Sequence, residues 1–121
     1  LPIFSTDRRL QNAKLNLKST DFVLKDSLSK LDLAVQQNYN TYTLALQLLQ
    51  FETENVTVAQ TNFELANEQY KVGVITAIEL RDAQQNYLLS QTRLSAAQFD
   101  AKIAETELLR LSADIFKVLT N

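Results

Sequence analysis

The side chains that could do chemistry in this sequence are 14 Asp and Glu, 12 Lys and Arg, and a set of hydroxyls, with no His and no Cys. Nucleophilic catalysis needs a hydroxyl or thiol beside a base, and metal catalysis needs convergent imidazole, thiolate or carboxylate ligands. Here the carboxylates scatter along the chain, and its single glycine, Gly73, leaves no glycine-rich loop to cradle a phosphate. We read the chain as non-enzymatic, with no cofactor and no metal. The polar residues with recognisable spacing gather around Gly73: Tyr70 before it, Thr76, Glu79 and Asp82 after it. Thr76-Ala77-Ile78-Glu79 has the spacing of a capping box, in which the Thr76 hydroxyl accepts from the Glu79 amide and the Glu79 carboxylate reaches back.

Long elements must hold these residues. Glycine and proline are the strongest local punctuators, and the chain uses each once, Gly73 in its interior and Pro2 at its start. One reversal between two uninterrupted elements is the outline of a hairpin. Leu28, Val35, Tyr42, Leu49, Val56, Phe63 and Tyr70 recur every seventh residue, interleaved with Leu31, Asn38, Ala45, Glu52, Ala59 and Ala66. After the glycine the pattern resumes as Leu80, Tyr87, Leu94, Ala101, Leu108 and Ile115, interleaved with Ala83, Ser90, Ala97, Ala104 and Leu111. A sustained seven-residue repeat specifies supercoiled helices, and bulky-against-small layering lets them approach closely. Asn38 and Glu52 interrupt the seam, where they set register or face water.

The expected fold class is therefore all-α: a long antiparallel coiled-coil hairpin with unequal helices, in one domain spanning 1–121. Its boundaries are a strand remnant or junction at 1–5, a long helix at 6–72, a tip turn at 73–75, a second helix at 76–113 and a tail at 114–121. Gly73 suits the left-handed conformation that ends a helix, and Ile75 and Leu80 are placed as a hydrophobic staple around the capping box. At ~1.5 Å per residue the helices span ~100 and ~57 Å, so the second reaches back only to about Asn38. The apolar residues from Leu10 to Val35 then need a partner outside the chain. A second series, Leu44, Phe51, Val58, Leu65 and Val72, marks another apolar seam, with Ile75, Leu89, Ala96 and Ile103 placed similarly after the turn. Two seams suit either a closed barrel of helices or the central helix of a small bundle.

Net charge of -2 and a pI near 5.1 give no electrostatic footprint for nucleic acid or an anionic membrane. No apolar run approaches the ~20 residues of a membrane span. Without cysteine the redox compartment is undetermined, and a start at Leu1-Pro2 reads as a piece of something larger.

Three motifs in order resemble one family. Leu1-Pro2-Ile3-Phe4 followed by Arg8-Arg9 is similar to the strand-to-helix junction of TolC-type outer-membrane efflux proteins. Ala66-Asn67-Glu68-Gln69-Tyr70-Lys71-Val72-Gly73-Val74 resembles their alanine-rich helix ending in Tyr-x-x-Gly. Glu79-Leu80-Arg81-Asp82-Ala83-Gln84 resembles the opening of the helix that follows. The resemblance covers essentially the whole chain, as the second of two tandem repeats. It implies a segment of an α-helical barrel across the periplasm of a Gram-negative bacterium, below an outer-membrane β-barrel, in a homotrimer. The implied function is a passive conduit for efflux or type I secretion. The implied partners are a periplasmic adaptor, docked by the hairpin tip, and an inner-membrane transporter.

Residue by residue, the resemblance implies that Val72, Gly73 and Val74 dock the adaptor. It also implies that Tyr70, Glu79 and Asp82 belong to the entrance gate. Ile75 stands where some members carry a latch arginine, and Ser5-Thr6-Asp7 where a glycine pair is common. Each site residue has a structural role open to it as well. Tyr70 continues the core series, Glu79 completes the capping box, and Asp82 favours the dipole of the second helix. The competing function is a structural coiled-coil scaffold such as the hairpin of the adaptor itself. Unequal helices and the Leu-Pro-Ile-Phe start argue against that alternative.

Overall fold

The computed structural model describes residues 2–121, with side-chain burial described from Ile3 onward. It contains two helices, α1 at Pro2–Lys71 and α2 at Ala77–Thr120, and among the described residues no strand. Two boundaries differ from expectation. Residues 2–5, expected as a strand remnant, form the first turn of α1, while Leu1 lies outside the described residues. The reason is local: proline lacks only a donor that a first helical turn leaves unpaired anyway, and its fixed φ is already helical. The expected tail at 114–121 is helical to Thr120, because Leu111 and Ile115 carry the seam onward and nothing before Asn121 breaks it.

The chain divides into two units, Leu1–Gln37 and Asn38–Asn121. In the second, α2 runs antiparallel to the Asn38–Lys71 part of α1. Phe63 stacks on Tyr87 across the seam with ring centroids 5.9 Å apart and planes 13° from parallel. The buried residues are the small Ala66, Ser90, Ala97, Ala101 and Ala104, together with the larger Glu52. Bulky Tyr42, Leu49, Val56, Phe63, Tyr87, Leu94 and Leu108 are half-buried around them. This is the large-against-small layering anticipated from the heptads. Two exceptions mark its limits, since Leu28 and Tyr70, both members of the series, are exposed.

Outside the seam the helices satisfy themselves. The Thr53, Thr57 and Thr61 hydroxyls each donate to the carbonyl four residues earlier, at 2.7, 3.1 and 3.0 Å. Gln50 donates to Glu54 and Gln60 to Glu64 at the same spacing. Such a face stays helical and hydrated without a partner.

The first unit is a single stretch of helix. Asp21–Lys25 and Asp26–Lys30 pair at i,i+4 with the acid N-terminal, the favourable order, worth about 0.3–0.5 kcal/mol each. Leu10, Leu15, Leu17, Phe22, Val23, Leu24, Leu28 and Leu33 are exposed on it. Apolar area of that extent favours association in water. The isolated chain should therefore self-associate through Leu10–Val35, and sedimentation should show a mass rising with concentration. A monomer at high concentration would contradict this.

Candidate functional site at the hairpin tip

The tip is built by one stop signal and one start signal. Gly73 adopts φ +75, the left-handed region where glycine is unstrained. Its amide donates to the Tyr70 carbonyl at 3.0 Å, and the Val74 amide donates to the Gln69 carbonyl at 2.9 Å. These two bonds close a Schellman motif and satisfy carbonyls that the last turn of α1 would leave orphaned. Lys71 completes the turn with an ion pair to Glu68 at 2.9 Å, its charge complementing the negative end of the helix dipole.

Three residues on, α2 starts with the expected capping box. Glu79 N donates to Thr76 Oγ1 at 3.2 Å, and Thr76 N donates to Glu79 Oε2 at 2.7 Å. The Thr76 hydroxyl also donates to Glu79 Oε2 at 3.1 Å. Ile75 and Leu80 are half-buried on either side, as a staple requires. Donation from the Thr76 amide, then from its hydroxyl, holds the Glu79 carboxyl below the ordinary glutamate range.

That shift has a pH consequence. A carboxyl whose pKa is lower folded than unfolded stabilises the fold above its unfolded pKa and loses that contribution as pH falls through its folded pKa. Glu79→Gln removes the titration while keeping an amide that can still cap. The stability difference between native chain and E79Q should thus be flat near neutrality and narrow progressively in acid. A difference independent of pH down to strong acid would contradict the assignment.

Between these caps the chain exposes apolar side chains. Val72, Val74 and Ile78 are all exposed at the turn. The residue after a Schellman glycine commonly packs back against the helix, but here the facing position is Gln69, and Val74 stays out. A Cβ built on Gly73 would meet nothing within 4 Å, so the glycine too faces open space. Sequence reading singled out Val72, Gly73 and Val74; it missed Ile78, whose exposure follows from its place in the first turn of α2, off the seam.

Tyr70 is 45% exposed and thus no core residue, although it continues the heptad series. Glu79 and Asp82 are both exposed and line one open groove of about 500 Å³ that begins just behind the tip. Asn55, Asn62 and Asn86 add polar walls, Val58 and Leu89 an apolar stretch, and Arg93 closes the far end. The structure thus brings Glu79 and Asp82 together. No group of three or more His, Cys, Asp or Glu able to hold a metal occurs among the described residues. Among these residues, too, no helix is long and apolar enough to cross a membrane.

Farther along the seam, Glu52 is buried and its carboxylate pairs with Arg93 Nε of α2 at 3.6 Å. The Asn55 amide donates to Glu52 Oε2 at 3.5 Å. Ser90, 1% exposed, donates its hydroxyl to the Tyr87 carbonyl at 2.7 Å. Sequence reading marked Glu52 as a seam interruption but did not find Arg93; counting outward from the Gly73 turn would have placed the two near each other.

The sequence model of one family, outer membrane efflux protein, matches residues 1–113. The chain belongs to the outer membrane efflux protein family. Neither a curated protein nor a solved structure matches it. Membership of a family of outer-membrane efflux channel components, which are transport proteins, accords with an all-helical hairpin.

Proposed function

We propose that this chain forms part of the periplasmic tunnel wall of a trimeric efflux or type I secretion channel, and that its tip docks a periplasmic adaptor. The observation that carries the reading is the tip itself, where Val72, Val74 and Ile78 are exposed around a glycine with open space over it. An exposed apolar cluster of this kind is the sort of surface that a protein partner covers. The rest of the hairpin suits a wall. One seam joins α1 to α2, and a second row, Leu44, Phe51, Val58 and Leu65, stays exposed for a neighbouring hairpin.

On this reading Tyr70, Glu79 and Asp82 contribute to the entrance. Tyr70 presents an exposed phenol one turn from the tip, and Asp82 an exposed carboxylate in the groove. Glu79 is mainly the cap of α2, since both hydrogen bonds of its carboxylate are local. The protein would act in the outer membrane and periplasm of a Gram-negative cell, with an inner-membrane transporter as the third component.

A photoreactive residue at Val74 of the full-length protein tests the docking. It should give an adduct with an adaptor in intact cells, while one at Leu15 should not. Adducts from Leu15 and none from Val74 would reject a docking tip.

A further inference from the structure

We propose that Glu52 and Arg93 form a pin that selects one axial register for the two helices, independently of the turn. The seam by itself is degenerate. Leu80, Tyr87, Leu94, Ala101 and Leu108 repeat every seven residues, so a slide of one heptad sets apolar residue against apolar residue again. A buried polar residue at one seam position is a device that removes such degeneracy.

Glu52 meets the requirement. Its side chain is 9% exposed, it lies in the seam, and Arg93 reaches it from α2 at 3.6 Å. The sequence of α2 makes either slip unfavourable. Seven residues from Arg93 toward the tip stands Asn86, which brings no charge; seven residues the other way stands Asp100, which brings the wrong one. In one direction the buried carboxylate goes unpaired, and in the other it faces its like. Ser90, the most buried side chain of the seam, needs no cross-helix partner because it bonds within α2. It therefore tolerates a slip that Glu52 does not.

The test must remove the register imposed by the turn. A flexible Gly/Ser insertion between Val72 and Thr76 of the full chain does so. The chain has no native cysteine, so spin labels on cysteines replacing the exposed Gln47 and Gln98 report register as a distance. With Glu52 and Arg93 in place, one narrow distance is expected. In E52L/R93L, which keeps an apolar and foldable seam, a second population at longer distance should appear, because a slide of one heptad, about 10 Å along the axis at ~1.5 Å per residue, carries the two labels past one another. Exchanging Arg93→Asp with Asp100→Arg moves the partner one heptad and should move the distance with it. A single unshifted distance in all three chains, or a split distribution with the native pair, would overturn the pin.

Discussion

Gly73→Trp in the full-length protein should abolish export while leaving the amount and thermal stability of the assembled channel near normal. The separation comes from where the glycine sits. Its φ of +75 makes any other residue strained, by about 1 kcal/mol for an L side chain. Nothing lies within 4 Å of the added Cβ, so no clash compounds that strain. A hairpin with helices of 70 and 44 residues tolerates a local cost of this size at one end. An indole at the point where, on the proposed function, an adaptor approaches Val72, Val74 and Ile78 is a different matter, because interface cores are packed as densely as protein interiors. Export assays beside quantification of assembled channel check this. Were the hairpin only a scaffold, activity would fall in proportion to folded protein.

Arg93→Leu should destabilise the hairpin far more than Glu52→Leu, although the two mutations break the same ion pair. Removing the arginine leaves a carboxylate whose side chain is 9% exposed with only the long hydrogen bond from Asn55, whereas removing the glutamate leaves an arginine 50% exposed that water can solvate. Breaking a buried pair in the first sense costs about 3–5 kcal/mol when both ends are buried. The half-exposed arginine and the 3.6 Å separation reduce this to roughly 2 kcal/mol. Glu52→Leu should change stability by less than about 1 kcal/mol, because it fills the seam with an apolar side chain. The double variant should recover most of the loss. Denaturant unfolding of the four chains gives the cycle, and equal losses from the two single variants would contradict it.

Most of the fold is legible in the sequence because its causes are local. The capping box needs only Thr76 and Glu79 at the right spacing, and the stop signal needs only Gly73. The seam needs only a period. What escaped depends on ends and on pairs. Tyr70 fits the period yet lies in the last turn of α1, with helix on only one side of it to cover the ring. Pro2 reads as a breaker, but a first helical turn has no paired donor for it to remove. Arg93 stands beside the seam, and its role appears only when Glu52 of the other helix is set against it. The same holds for the groove, whose walls come from both helices and have no sequence motif in common.

The function turns on whether the tip is a contact surface. The most direct measurement is electron cryo-microscopy of the full-length protein in complex with the periplasmic adaptor proposed as its partner. The account predicts Val72, Gly73, Val74 and Ile78 covered by the adaptor, with the Schellman turn and the Thr76–Glu79 cap intact beneath it. A complex in which the adaptor grips the wall of the tunnel while these four residues remain in water would contradict it.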